Sequence, residues 1–204
     1  MISRAQQVAR LLLQIKAIKL SPQQPFTWAS GIQSPIYCDN RLSLSYPEVR
    51  AEVIAGLVEL SGGVTNFDMV AGVATAGIPH GALLADRLGL PFAYIRDKPK
   101  SHGRQNQIEG KIDAGARVLV IEDLISTGGS SLKAVEAIRE HGAEVAAVMA
   151  IFTYGFPKAS VAFEAADCPL LTITDYETML HEAVAMSYIG ADDLAALSAW
   201  RQQF

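Results

Sequence analysis

Cysteine is scarce in this chain: Cys38 and Cys168 are the only two among 204 residues, and they stand far apart. A disulfide framework is thereby excluded, and without a secretory signal the two read as reduced thiols of a cytoplasmic protein. Charge is sparse as well. Lys and Arg number 17 against 21 Asp and Glu, a formal net charge of -4, which offers no basic surface for a polyanion, so nucleic acid is not an expected partner. Long apolar runs are missing too. The opening "MISRAQQVARLLLQIKAIKL" sets Val8, Leu11, Leu12 and Ile15 at helical spacing but is broken by Arg10, Lys16 and Lys19, so it is neither a signal peptide nor a membrane span, and no membrane partner is expected. Cys168 and His181 have no partners at ligand spacing, which leaves them as packing or surface residues. Neither a Walker loop with Gly-Lys-Ser/Thr nor a GxGxxG turn is present.

What the chain does have is apolar residues, 50% of the total, enough for one domain over 1-204 with its own core. The passage "SPQQPFTWASGIQSPIYCDN" holds Pro22, Pro25 and Pro35 and reads as a cap over something, too irregular for one element. Ser45, Pro47 and Glu48 predict a helix start with a capping box, and Val49, Val53, Leu57 and Leu60 continue its apolar face to near Gly62. The chain then alternates: strand "DMVAGV", helix "GIPHGALLADRLG", strand "PFAYI", a charged loop, strand "RVLVIED", helix "SLKAVEAIREHG", strands "EVAAVMAIF" and "PLLTI". Continuous apolar strands between helices predict an α/β fold, a central, mainly parallel sheet flanked by helices. The turns after Val73, Ile95, Asp123 and Thr153 should converge on one cleft at the carboxyl ends of the strands. The tail from Asp175 reads as two short helices around Gly190.

The stretch "VLVIEDLISTGGSS" carries the chemistry. A strand surfaces at two carboxylates, Glu122 and Asp123, and leads into a helix start rich in hydroxyls and glycine. Backbone N–H groups there, with the hydroxyls of Ser126, Thr127, Ser130 and Ser131, suit a phosphate, and Gly128 and Gly129 allow close approach of the backbone. The carboxylates would repel that phosphate, so their partners are hydroxyls or a cation. A ligand with a phosphate and a diol, a sugar phosphate, satisfies both halves. Further back, "YIRDKPKSHGRQNQIEGKI" concentrates Arg96, Lys98, Lys100, His102 and Arg104 on a loop without apolar periodicity, suited to close over a diphosphate and exclude water.

Glu122-Asp123 with Ser126 to Ser130 resembles the phosphoribosyl-diphosphate signature of the type I phosphoribosyltransferases. "RDKPKSHG" with "NQIEG" resembles the mobile loop of the orotate phosphoribosyltransferases, and "FTWASGIQSPIYCDNR" their amino-terminal hood, here formed largely by about 19–45. The resemblance runs from about Lys19 to Tyr154 with the motifs in the family's order. It implies the type I fold and Mg²⁺-dependent transfer of ribosyl 5-phosphate to orotate within a homodimer that shares its active sites. It implies that Arg96, Lys100 and His102 meet the diphosphate, the loop reaching it from the neighbouring subunit, and that these three with Asp123 are the catalytic residues. Glu122, Asp123, Leu124, Ile125, Ser126, Thr127, Gly128, Gly129 and Ser130 would hold the ribose 5-phosphate, the two acids on the ribose hydroxyls. Ser126, Tyr37 and Cys38 would meet orotate, the hood from Ser34 to Cys38 bordering its ring, with ordinary hood packing the alternative for Tyr37 and Cys38, and the turn "VATAGIP" would meet pyrophosphate through backbone groups. Trp28 is expected to pack. No residue of the chain is assigned as a metal ligand, the ion being held mainly by substrate and water.

Many family members carry a lysine where this chain has Ala29, basic residues in place of Ala76 and Asp97, and an orotate-binding arginine where it reads "IFTYGFP". Lys19 is the candidate to supply the charge missing at Ala29. A phosphoribosyltransferase for another base stays open, because the signature reads only the sugar donor; so does a sensor of phosphoribosyl diphosphate without turnover, although the cationic loop would be useless to it.

Overall fold

The structure, a computed structural model, describes residues 2–28, 31–97 and 107–203. In chain order the elements are α1 (Arg4–Gln14), β1 (Ile18–Leu20), β2 (Phe26–Thr27), β3 (Gln33–Ser34), β4 (Ile36–Cys38), a 3-10 turn (Asn40–Ser45), α2 (Pro47–Ser61), β5 (Met69–Val73), α3 (Gly77–Leu88), β6 (Phe92–Ile95), β7 (Ile108–Glu109), β8 (Arg117–Ile125), α4 (Gly129–Glu140), β9 (Glu144–Thr153), α5 (Pro157–Ala165), β10 (Leu170–Asp175), α6 (Tyr176–Ala185) and α7 (Asp193–Arg201). Six strands form the central sheet in the order β10-β9-β8-β5-β6-β7. All its pairings are parallel except the edge pair β6 and β7.

The continuous apolar strands are explained by two cores on opposite faces. Successive strand residues alternate faces: Leu119 and Ile121 of β8, with Met149 and Ile151 of β9, join the core shared with α1, α2 and α6. Val118 and Val120, with Val148 and Ala150, join the core under α4 and α5. Neither face meets water, so no polar alternation is left for sequence reading to detect.

Several elements differ from the sequence expectation. The amino-terminal helix stops at Gln14 and the chain re-enters as β1, because Lys16 adopts a left-handed φ of 58°. The proline-rich cap is not wholly irregular: β1 pairs with β4 and β2 with β3, both antiparallel. Helix α2 begins one residue later than the capping box at Ser45 requires, with Tyr46 at the N-cap and no side-chain cap; Pro47 at the first helical position supplies the pre-set φ instead. "IEG" closes the sheet edge as β7, in place of the expected loop. Helix α5 has no counterpart in the sequence expectation, since only Ala159 and Phe163 of its nine residues are buried, too few to mark a helical stripe. Among the described residues, no helix is long and apolar enough to cross a membrane.

Candidate functional site

The two acids lie within a strand and not at its end. On one side β8 is paired to β5 only as far as Gly72↔Ile121. On the other side its pairing with β9 continues to Ile125↔Thr153. Glu122 and Asp123 therefore occupy the stretch where one neighbour has ended and the other still holds the backbone. Helix α3 starts in that gap: a Cβ built on Gly77 would stand 2.2 Å from the Ile121 carbonyl oxygen and 3.3 Å from Glu122 Cα. Only glycine lets the helix come this close.

The side chains of the two adjacent acids remain within hydrogen-bonding reach of each other. Glu122 is buried at 6% exposure and faces α4, where its Oε2 accepts hydrogen bonds from Ser130 Oγ and Ser131 Oγ, both at 3.3 Å, while Oε1 accepts from the Asp123 N–H at 3.0 Å. Asp123 faces the hood, whose Asn40 donates Nδ2–H to the Asp123 carbonyl at 2.7 Å. Burial, then the Asp123 charge, raises the Glu122 carboxyl to about 8. Asp123 is also raised by burial, against the hydrogen bond with Glu122 and the Arg41 charge, which lower it. The site thus holds an acid pair reluctant to be doubly ionised, a place suited to hydroxyl donors or a cation.

After β8 the chain crosses into α4 through Gly128, which has φ 81° and caps the helix without any side-chain hydrogen bond. The first-turn N–H groups of Gly129, Ser130 and Ser131 have no intrahelical acceptor, and the space beside Gly129 is open, with nothing within 4 Å of a built Cβ. Unpaired N–H groups of this kind are what an anion requires. The hydroxyls divide differently, however: those of Ser130 and Ser131 are turned back to Glu122, because the helix's first turn faces that carboxylate, and only Ser126 and Thr127 remain for a ligand. Leu124 lines the cleft beside Ser126. Ile125 is fully buried, and its carbonyl accepts from the Tyr154 N–H at 3.0 Å.

A pocket of about 290 Å³ adjoins Ser126, walled by Thr27, Trp28, Tyr37, Cys38, Leu124 and Tyr154. Tyr37 is 41% exposed, its ring 5.9 Å from Phe26. The Cys38 thiol donates to Asn40 Oδ1 at 3.3 Å and is pushed up by burial and by the charges of Asp123 and Asp39, so it stays protonated. Trp28 both packs and lines the pocket; its Nε1–H donates to the Ile36 carbonyl at 3.0 Å. Ser34, expected at the ring, is fully buried, its hydroxyl bonded to the Ile36 backbone. Lys19 is exposed on β1 opposite Tyr37.

Arg96 follows β6, bonded through its N–H to the Gln107 carbonyl at 2.8 Å, with its guanidinium 3.6 Å from Glu109 Oε1. Lys100 and His102, like Ala29, lie outside the described residues. In the turn before α3 the Ala74 N–H is spent on Ile95, whereas the helix start carries no side-chain cap. Three residues escape sequence reading. Asn40 anchors Asp123, Arg41 is held in a fork by Asp39 at 2.6 and 2.9 Å within electrostatic reach of Asp123, and Tyr154 walls the pocket. The first two stand in "YCDNR", where an Asn and an Arg just past a hood strand are the available signal.

Comparisons with known proteins show the family and fold. The phosphoribosyl transferase domain model matches residues 47–170. An orotate phosphoribosyltransferase of Bacillus pumilus is 55% identical over 198 residues, covering 96% of this chain and 92% of that protein. Its counterpart in Bacillus subtilis is 53% identical over 196 residues, covering 96% and 91%. Among solved structures, orotate phosphoribosyltransferase from Aeropyrum pernix superposes with a TM-score of 0.78 at 29% identity, covering 90% of this chain and 99% of that one.

Proposed function

The chain belongs to the orotate phosphoribosyltransferases and has the type I phosphoribosyltransferase fold, and from that premise we propose that it transfers the ribosyl 5-phosphate of 5-phospho-α-D-ribosyl 1-diphosphate to N1 of orotate. The products are orotidine 5′-monophosphate and pyrophosphate. One observation carries the reading: an uncapped helix start, an acid pair with Glu122 buried and a mainly apolar pocket meet around Ser126, matching in order a phosphate, a sugar diol and a planar base.

In this reading Glu122 and Asp123 accept hydrogen bonds from the ribose hydroxyls. The N–H groups of the α4 start, with Ser126 and Thr127, hold the 5-phosphate, and the base enters between Trp28, Tyr37 and Leu124, where Ser126 also faces the orotate carboxylate. Arg96 exchanges Glu109 for the diphosphate, joined by Lys100 and His102. As the C–O bond to pyrophosphate breaks, positive charge grows on the sugar beside the acid pair and negative charge on the leaving group, so fixed charges aimed at both lower the barrier. Mg²⁺ suits these residues as an ion held mainly by substrate oxygens and water: the donors here are oxygens, and among the described residues no group of three or more His, Cys, Asp or Glu could hold it alone. When bound, it neutralises charge on the leaving pyrophosphate.

The proposal extends to one domain over 1–204, a cytoplasmic location, and a homodimer in which Lys100 and His102 serve the neighbouring subunit's site. Mixing inactive Lys100→Ala subunits with inactive Asp123→Ala subunits should restore activity, because hybrids rebuild one intact site; no recovery after demonstrated subunit exchange would remove the sharing. For substrate identity, Ser126→Ala should raise the KM for orotate more than the KM for phosphoribosyl diphosphate. Equal small effects would remove Ser126 from the base pocket.

A further inference from the structure

Tyr154 follows β9 with its ring held by aromatic neighbours. It stacks on Phe156 at 5.2 Å and 11°, meets Phe152 edge-on at 5.5 Å, and lies 5.3 Å from Trp28. Its backbone N–H is tied to the Ile125 carbonyl at 3.0 Å. At 3% exposure, such a residue ordinarily gives its hydroxyl a protein acceptor. Tyr176 of the same cluster does so, donating to the Leu197 carbonyl at 3.1 Å.

The Tyr154 hydroxyl has no hydrogen-bond partner among the described residues, yet it is not one of the occluded unpartnered polar atoms, which belong to His80 and Thr174. It lies within electrostatic reach of Cys38, Asp123 and Tyr37, on the side where Tyr154 walls the pocket. Of the other donors there, Trp28 is committed to Ile36 and Cys38 to Asn40, and the Thr27 hydroxyl accepts from Gln33 at 2.9 Å. Burial raises the Tyr154 phenol above its usual range, so the group remains a proton donor at any working pH. Because packing already fixes the ring, binding a ligand oxygen costs it little further ordering.

We propose that Tyr154 is a specificity-determining residue of the acceptor pocket, its hydroxyl donating a hydrogen bond to an oxygen of the planar base, a ring carbonyl or a carboxylate. The inference rests on the orotate reading above and adds to it a residue selected by its unspent hydroxyl. A pocket with such a donor favours a base that carries an acceptor there over one that leaves the hydroxyl desolvated and unpaired.

The experiment compares Tyr154→Phe with Tyr176→Phe, both of which keep the ring and the packing. Tyr154→Phe should raise the KM for orotate about tenfold, the worth of one hydrogen bond of about 1.4 kcal/mol. The KM for phosphoribosyl diphosphate should stay within about twofold and Tm within about 2 °C, since no protein bond is lost. Tyr176→Phe should do the reverse, lowering Tm and leaving both KM values in place. An orotate KM for Tyr154→Phe within about twofold of wild type, in a folded protein, would overturn the proposal while leaving the enzyme reading intact. A wild-type protein that consumes no orotate would overturn that reading, and the proposal with it.

Discussion

Replacing Asp123 with alanine should lower kcat/KM for phosphoribosyl diphosphate by about a thousandfold, the scale for removing a preorganised group that meets developing charge, while the protein stays folded. The surrounding backbone holds Asp123 in place, since Asn40 fixes its carbonyl at 2.7 Å and β9 continues its ladder past it to Ile125. The same change should make the substrate-free protein more heat-resistant in alkaline solution. Glu122 is raised to about 8, first by burial and then by the Asp123 charge. An acid raised in the folded state stabilises that state through its proton, fully below the unfolded carboxylate range and progressively less as pH climbs through the folded value. Wild-type Tm should accordingly fall between about pH 5 and pH 8 and level off above, and fall less in Asp123→Ala, where the neighbouring charge is gone. Thermal melts across that range decide the matter. A wild-type Tm that rises with pH, or an unchanged slope in the variant, would mean that the pair is not coupled as described.

Gly77→Ala should be the most damaging glycine-to-alanine change among the described residues. The added carbon would lie 2.2 Å from the Ile121 carbonyl oxygen and 3.2 Å from its carbon. Both atoms belong to the central strand, so no rotamer can yield. Overpacking of this kind ordinarily costs about 1–3 kcal/mol; against backbone on both sides the loss should reach or exceed the upper end. Whatever folds should carry a displaced Glu122, whose Cα is 3.3 Å from the same carbon, and should lose activity at least a hundredfold, because misplacement by about 1 Å is enough for that. Gly129→Ala is the control for stability, since a Cβ there meets nothing within 4 Å; its melting temperature should stay near wild type. Equal melting temperatures for Gly77→Ala and wild type would show that the close approach of α3 to β8 is not required.

The parts of the fold that are legible in the sequence are those where local pattern and packing agree. β5, β8 and β9 are continuous apolar runs because helices cover both faces, and α3 and α4 follow glycine-bearing turns that the sequence displays openly. The hood strands β1 to β4 stay hidden because two or three residues cannot show a period, and their pairings are set by Ile18 meeting Cys38 and Phe26 meeting Ser34, contacts between separated segments. α5 is hidden by its two buried residues. In the site, the acids and the anion loop can be read because adjacent carboxylates followed by Ser-Thr-Gly-Gly-Ser are rare company. Their burial cannot, since it depends on β5 ending at the level of Ile121 while β9 continues. The assignment of Ser130 and Ser131 to Glu122 likewise depends on the rotation of α4. Tyr154 gives no signal within "IFTYGFP", where the missing arginine is the visible feature, because its relevance comes from a hydroxyl left unpaired within an aromatic cluster.

The most direct test follows orotate by its ultraviolet absorbance after phosphoribosyl diphosphate and Mg²⁺ are added to the purified protein, with adenine, hypoxanthine and uracil assayed alongside for pyrophosphate release. The account predicts loss of the orotate signal that requires both additions, with little or no release from the other bases. Orotate left intact while a purine releases pyrophosphate, or no release from any base, would contradict it.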